Sequence, residues 1–396
     1  MIPLAEPSIG VNAWEYVKNC LDTGWISYSG DYIDKLENNI KEYTGAKYAV
    51  AVNGGTSGLM LALRLCGIGP GDEVLVPSLT FIATINAIKH VGAEPVFMDC
   101  EDFDMNMDCG KTIAFIENHC VKTRAGLLNK VSGRKVKAIL PVHILGTLSL
   151  APVALKRVAE DNGLVIIEDA AEALGTWCRS GAGQGKHAGL HGDIGVFSFS
   201  FNKMITAGCG GMVITDNDEY GKRAKYLALQ AKDDPVLYIH NDIGYNLGLT
   251  NMGAALACSQ MEEINNFIDN HYLWWTIYKE ELANVPGLKV FSPPDEEEAN
   301  FWLTAITIDK DKFGMDIKQL MSRLYLKGIQ SRPLWTPNHL QLPYLRCQKF
   351  RIEKTEPIWR KTLCLPSGNT MTASLCKEVA NAIKVVQETG SKCTDL

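Results

Sequence analysis

Residues 48–215 carry short apolar runs that alternate with segments of helical spacing. Seven of the runs predict strands, at 48–52, 74–77, 95–99, 138–142, 165–169, 196–200 and 212–215. Apolar positions at helical spacing between several of them predict helices at 59–65, 82–90 and 152–162. Strands that alternate with helices favour an α/β fold with a mainly parallel sheet covered on both faces.

Helical spacing also precedes and follows this region. Two helices are predicted at 11–21 and 32–43, and a long helical pattern runs from 251 through 264 to about 281. Later segments predict strands at 288–291 and 303–308 and helices at 316–326 and 377–388. We therefore expect an N-terminal arm over 1–20, a large α/β domain over 21–262 and a smaller α+β domain over 263–396, with a frayed end at 390–396.

Composition narrows the classes of partner. The chain has 396 residues, 46% of them hydrophobic, and a formal net charge of -6, which argues against nucleic acid or an anionic membrane. No stretch has 18 or more consecutive apolar residues, and the start lacks a basic region followed by an apolar run, so we expect a cytoplasmic protein. The 12 cysteines include no Cys-x-x-Cys pair, which favours free thiols over disulfides or zinc.

Candidate chemistry begins at Lys203. Residues 196–200 alternate apolar and hydroxyl side chains, and the lysine that follows stands before a glycine cluster at 208–211. This pattern places an amine at the end of a strand, where backbone can approach a ligand closely. On this stretch alone, a solvated surface lysine is the commoner interpretation.

Two further stretches complete a set. The apolar run at 165–169 ends in carboxylates, as a buried parallel strand does when it delivers Asp169 to the edge of a sheet. Residues 48–59 read as strand, glycine turn and helix, and the free N–H groups of such a helix start bind anions, commonly phosphate. An amine, a strand-end acid and a phosphate cradle are the groups that pyridoxal 5'-phosphate (PLP) requires.

The same stretches carry a resemblance that covers nearly the whole chain. Residues 21–30, 53–58, 77–86, 141–143, 168–172, 192–212 and 244–252 resemble, in order, motifs of the DegT/DnrJ/EryC1/StrS sugar aminotransferases, which are fold-type I PLP enzymes. The resemblance implies a mainly parallel seven-stranded sheet with one antiparallel strand, and a smaller α+β C-terminal domain. It also implies a homodimer with shared active sites.

The resemblance assigns roles around the cofactor ring. Lys203 is expected to carry PLP covalently and to move a proton during the reaction. Related sugar 3-dehydratases have histidine at that place, so lysine indicates a transaminase. Asp169 is expected to pair with the pyridine nitrogen, and Phe81 to stack on the ring; a helix cap and core packing are the alternatives. Glu172, where many members have glutamine or histidine, is expected near the phenolate oxygen and protonated in part of the cycle.

The phosphate is expected on the N–H groups of Gly55, Thr56 and Ser57, with hydroxyl help from Ser57 and Ser198. Asn246 matches the family asparagine that reaches this phosphate from the other subunit. No metal site is expected, because His187 and His191 lie four apart in a glycine-rich loop and would make poor ligands.

The substrate side is less defined. Four residues are candidates for sugar-nucleotide contacts, with packing or an interdomain loop as the alternative: Tyr28, Arg332, Trp335 and His339. Glu172 and residues 230–235 resemble the branch that makes 4-amino-4,6-dideoxy sugars on UDP-N-acetylhexosamine. The expected reaction is amination of UDP-2-acetamido-2,6-dideoxy-hexos-4-ulose by L-glutamate, for surface glycan synthesis. A GDP-linked or dTDP-linked keto sugar, or a catalytically silent PLP-fold regulator, is the alternative.

Overall fold

The computed structural model describes residues 1–391. Most of the segment predicted to fray, 390–396, therefore lies outside the described residues, and so does Cys393. The strands are β1 (Tyr48–Val52), β2 (Asp72–Pro77), β3 (Glu94–Met98), β4 (Cys120–Thr123), β5 (Gly126–Asn129), β6 (Lys135–Ile139), β7 (Val165–Asp169), β8 (Trp177–Cys178), β9 (Ile194–Ser198), β10 (Gly211–Thr215), β11 (Leu288–Val290), β12 (Glu297–Glu298), β13 (Ala305–Ile308), β14 (Arg332–Pro333), β15 (Lys349–Phe350) and β16 (Thr362–Cys364).

The helices are α1 (Ala13–Thr23), α2 (Asp31–Thr44), α3 (Gly55–Leu65), α4 (Ile82–His90), α5 (Cys109–His119), α6 (Ala151–Asn162), α7 (Asp218–Ala228), α8 (Asn251–Met261), α9 (Ile264–Glu281), α10 (Lys310–Phe313), α11 (Ile317–Leu326), α12 (Thr355–Lys361) and α13 (Ala373–Ser391). Short 3-10 turns lie at Ile144–Gly146, Asn338–Leu340 and Leu342–Tyr344. Across residues 1–391, no helix combines the length and the apolar character needed to cross a membrane.

The central sheet confirms the predicted fold class. Its strand order is β1-β10-β9-β7-β6-β2-β3-β15, and the β4–β5 hairpin joins it at β6. Neighbours from β9 to β15 are parallel, whereas β10 is antiparallel to both β1 and β9. All seven predicted strands are present, and β10 is the reversed strand among them. The hairpin and β15 were not predicted.

Alternation along β1 explains why both faces of the sheet are covered. Val50 and Val52 join a buried cluster with side chains of α3, α4 and α7. Ala49 and Ala51 point to the other face and join a cluster with α2 and α8. Because β1 is short of polar residues on either face, it must lie inside two layers of helix.

The C-terminal part has its own core. An antiparallel sheet of order β11-β13-β16-β14 packs with α9, α11 and α13 around a separate buried cluster. This arrangement matches the expected α+β architecture. The boundaries at residues 20 and 262 stay a prediction, and α1 extends beyond the expected arm to pack against α8.

Candidate active site

A cavity of about 510 Å³ opens where the carboxyl ends of β7 and β9 meet the start of α3. Parallel neighbours place these ends at one edge of the sheet, which is where α/β proteins bind ligands. The cavity brings together nine of the residues predicted from the sequence: Gly55, Thr56, Ser57, Phe81, Asp169, Glu172, Ser198, Lys203 and Trp335.

The amine of Lys203 has two close partners in this cavity. Its Nζ lies 3.1 Å from Oε1 of Glu172 and 3.9 Å from the ring centroid of Trp302. The lysine side chain is 14% exposed. A surface lysine would be far more exposed, so the solvated-lysine interpretation is wrong for Lys203.

Asp169 ends β7 as a buried carboxylate. Its Oδ2 accepts a hydrogen bond of 2.7 Å from the Thr84 hydroxyl, and its Oδ1 accepts one of 3.1 Å from the Ala171 N–H. Burial raises the pKa of Asp169, although the Thr84 hydrogen bond and the Lys203 charge act in the opposite direction. Such a carboxylate favours a cationic or proton-bearing partner, as a protonated pyridine nitrogen would be.

Glu172 is buried beside the lysine. Burial also raises its pKa, and the charge of Lys203 opposes the rise. Its Oε2 accepts a hydrogen bond of 2.9 Å from the Leu145 N–H. Leu145 has a φ of 56°, a left-handed conformation that non-glycine residues rarely adopt.

The turn around Leu145 is held by a second buried acid. The N–H of Leu148 donates a 2.5 Å hydrogen bond to Oε2 of Glu297, whose Oε1 has no hydrogen-bond partner among the described residues. Burial raises the pKa of Glu297 to about 9, so this side chain is neutral near pH 7.

Glu168 immediately precedes Asp169, and its contacts hold the structure rather than line the cavity. Its Oε2 lies 2.8 Å from Nε2 of His143 and accepts a 3.0 Å hydrogen bond from the Gly189 N–H. Burial by itself raises the pKa of Glu168, but hydrogen bonds from His143 and from the Gly192 N–H oppose this rise, and the pKa lies below its usual range. Since His143 Nδ1 accepts from the Ser149 N–H, the ring proton lies on Nε2 and points at the carboxylate.

The start of α3 is suited to an anion. Gly54 precedes the helix and provides no side-chain cap for its first N–H groups. A Cβ at Gly55 would lie 2.9 Å from Cβ of Ser198, so only glycine lets the helix start approach β9 this closely. The Ser198 hydroxyl lies 3.0 Å from that of Ser200. This cradle, together with Asp169 and Lys203, fits PLP.

Four predicted site residues lie away from this cavity. Tyr28 is exposed beside a smaller pocket between α2 and β1, and Arg332 is exposed on β14. His339 is buried, with Nδ1 2.6 Å from the Ser78 hydroxyl and Nε2 3.3 Å from Glu356. Asn246 is exposed, and its carbonyl accepts a 3.4 Å hydrogen bond from the Asn53 side chain. These four assignments stay predictions, and the contacts of His339 favour a packing role.

Among the lining residues not predicted from the sequence, Thr84 and Trp302 contact the acid and the amine of the cavity. Thr84 lies inside the quoted stretch 77–86, one helical turn from Phe81, and this spacing could have suggested it. Trp302 stacks on Trp335 with ring centroids 6.4 Å apart and an interplanar angle of 8°. Nothing in the order of residues around position 302 indicates that this ring reaches Lys203.

Comparisons with known proteins agree with the resemblance found in the sequence motifs. A family model for the DegT/DnrJ/EryC1/StrS aminotransferase family matches residues 7–384. GDP-perosamine synthase from Vibrio cholerae is 33% identical over 385 residues, which cover 97% of this chain and 98% of that protein. GDP-perosamine synthase from Caulobacter vibrioides is 34% identical over 390 residues, with 97% and 98% covered. The crystal structure of DesI in the presence of its TDP-sugar product has a TM-score of 0.88 and 27% identity, and covers 100% of this chain and 95% of that one.

Proposed function

Because the chain belongs to the DegT/DnrJ/EryC1/StrS aminotransferase family and is a PLP-dependent sugar-nucleotide aminotransferase, we propose that it aminates a GDP-linked 4-keto-6-deoxy hexose, with L-glutamate as donor. The choice of nucleotide rests on two full-length relatives named GDP-perosamine synthase. The UDP-linked, N-acetylated substrate expected from the sequence is not confirmed by these relatives. A dTDP-linked sugar has support from DesI, at lower identity.

The observation that carries the proposal is a partly buried lysine amine and a buried strand-end carboxylate in one cavity with an open helix start. When bound, PLP supplies an electron sink for exchange of the amino group. Lys203 would hold the cofactor covalently, and Asp169 would keep its ring nitrogen protonated. The N–H groups at the start of α3 and the Ser198 hydroxyl would hold its phosphate, and Phe81 would face its ring.

In the proposed mechanism, Glu172 would exchange a proton with the lysine. With 3.1 Å between Nζ and Oε1, one proton can pass from the ammonium to the carboxylate without movement of either backbone. Because burial raises the pKa of Glu172, its protonated form is accessible. The neutral amine of Lys203 that results can act as the base that the reaction needs.

A homodimer with shared sites is part of the proposal. The loop between α7 and α8 exposes a run of large apolar side chains: Val236, Leu237, Tyr238, Ile239 and Ile243. Several exposed large apolar side chains on one segment favour a protein interface there. Asn246 lies on the same segment and outside its own cavity, as expected if it serves the partner's site.

The substrate is tested by mixing the PLP-loaded protein, L-glutamate and matched 4-keto-6-deoxy sugars linked to GDP, UDP or dTDP. We expect mass spectrometry to detect an amino-sugar nucleotide formed from the GDP-linked sugar, together with one equivalent of 2-oxoglutarate. The kcat/KM for the GDP-linked sugar should be about tenfold or more above the values for the other two sugars. Lys203→Ala is the control and should give no turnover. Preference for the UDP-linked N-acetylated sugar would replace the GDP assignment and restore the expectation drawn from the sequence.

A further inference from the structure

We propose that Trp302 is a positioning residue that forms, with Glu172, a holding site for the free amine of Lys203. This inference rests on the proposed role of Lys203 as the residue that binds the cofactor. It assigns a place to the amine during the part of the cycle in which the lysine is not bonded to the cofactor.

The geometry of the three groups defines the holding site. The Glu172 carboxylate contacts Nζ at 3.1 Å, and the indole face of Trp302 covers the same atom at 3.9 Å. Trp302 is 3% exposed, so water does not compete for this face. A carboxylate and a tryptophan face both attract an ammonium, and the attraction is stronger where water is excluded.

Hydrogen bonds fix the parts of the holding site to one another. The Trp302 Nε1–H donates a hydrogen bond of 2.6 Å to the carbonyl of Asn202, the residue immediately before the lysine. The Asn300 side chain donates a hydrogen bond of 2.7 Å to the backbone carbonyl of Glu172 and accepts one of 2.9 Å from the Trp302 N–H. The Trp302 ring, the backbone of Glu172 and the backbone next to the lysine are therefore joined in one network.

The backbone between these anchors is strained. Phe301 has a φ of 53°, in the left-handed region that phenylalanine rarely occupies. That conformation sends Asn300 towards Glu172 and Trp302 towards the lysine. Strain of this kind persists where the surrounding contacts impose it, and it concentrates at functional sites.

A holding site answers a physical requirement of the reaction. A lysine chain loose in a cavity of about 510 Å³ would sample many rotamers, and its amine would often be out of reach. Held between Trp302 and Glu172, the amine stays within one proton transfer of Oε1. The proton moves from Nζ to Oε1 and returns by the same path, so no other reactant is needed.

The test measures the reactivity of Lys203 rather than turnover. Cofactor-free protein and protein loaded with pyridoxamine 5'-phosphate are treated briefly with N-hydroxysuccinimidyl acetate, and acetylation at each lysine is quantified by mass spectrometry. In Trp302→Leu, the reagent should acetylate Lys203 about tenfold faster than in wild type, because the contact between the amine and the ring is lost. Acetylation of other lysines should not change, which a general loosening of the fold would not allow.

Three further variants make the result decisive. Trp302→Phe keeps a ring face and should stay near wild type, and Glu172→Gln should speed acetylation as Trp302→Leu does. Trp335→Leu removes the neighbouring ring, whereas the cation–π contact recorded for the amine among the described residues is with Trp302, so it should leave acetylation of Lys203 near wild type. If Trp335→Leu speeds acetylation of Lys203 as much as Trp302→Leu does, the faster reaction reflects easier access of the reagent to the cavity. The holding site is then disproved. Trp302→Met replaces Trp302→Leu if the latter does not fold, with the same expectation.

A separate measurement tests the function on which this inference rests. Borohydride reduction of PLP-loaded wild type should fix the cofactor on Lys203, as read by mass spectrometry. If the adduct forms on Lys203 but acetylation is the same in Trp302→Leu and wild type, the holding site is wrong and the function stands. If no adduct forms on Lys203, the proposed function itself fails.

Discussion

Glu297 shows how one buried side chain links pH to stability. Its pKa is raised from 4.5 to about 9, so between these values the folded chain keeps a proton that the unfolded chain releases. Wild type therefore loses stability as pH rises through this window. Glu297→Gln does not titrate, and its free energy of unfolding relative to wild type should rise by about 3 kcal/mol between roughly pH 5 and pH 7.5.

Urea unfolding of the cofactor-free proteins at the two pH values measures this difference. Glu298→Gln is the matched control, because Glu298 is the exposed neighbour on the same strand and should give curves parallel to wild type. A constant difference between Glu297→Gln and wild type at both pH values would contradict the prediction.

At the residue scale, the sequence predicted the residues that carry the chemistry better than the residues that position them. Asp169 ends a strand, and Lys203 and the start of α3 follow strands; strand ends can be predicted because apolar runs stop there. Trp302 could not be predicted, since its position depends on the left-handed Phe301 and on Asn300 reaching across the chain to Glu172. Arg332 and His339 have plausible chemistry in the sequence, but their strand and turn place them outside the cavity.

At the element scale, the approach of α3 to β9 gives a prediction about cofactor affinity. Gly55→Ala puts a Cβ 2.9 Å from Ser198, which forces the helix start or the serine to move. We expect the dissociation constant for PLP to rise about tenfold, as measured by absorbance titration.

The matched control is Gly110→Ala. Gly110 lies in the first turn of α5, where an added Cβ meets its nearest atom at 3.4 Å, an ordinary contact. This variant should bind PLP as wild type does. Equal affinity for PLP in Gly55→Ala and wild type would show that the close approach of α3 to β9 is not needed by the cofactor.

Elements were predictable where large apolar side chains mark the buried face over several residues. The predicted helix 82–90 matches α4 at both ends, because apolar positions face the sheet on one side only. The helix α7 was missed, since its mean hydropathy is low, although Asn217 caps it by accepting from the N–H groups of Glu219 and Tyr220. The strands β14 and β15 have two residues each, too short to give a period.

At the scale of the whole molecule, the proposed homodimer with shared sites predicts complementation between variants of low activity. Lys203→Ala and Asn246→Ala subunits, unfolded and refolded together in equal amounts, form mixed dimers in half of the cases. If Asn246 serves the partner's site, each mixed dimer has one intact site, and the mixture should regain about a quarter of wild-type turnover.

The comparison is with the two variants refolded separately and then combined. Asn246→Ala alone should have low turnover, so the regained activity comes from the mixed dimers. Turnover of the mixture no higher than that of the separately refolded proteins would place Asn246 in its own subunit's site or outside any site.

The strand β15 pairs with Phe97 and Met98 on the outer side of β3, and it comes from residues 349–350, far beyond the other strands of the central sheet. During synthesis, β3 therefore leaves the ribosome with an open edge that stays open until nearly the whole polypeptide has emerged. Unpaired edges recruit other chains. Nascent or prematurely terminated forms of this protein should accordingly depend on chaperones in a way that the finished subunit does not.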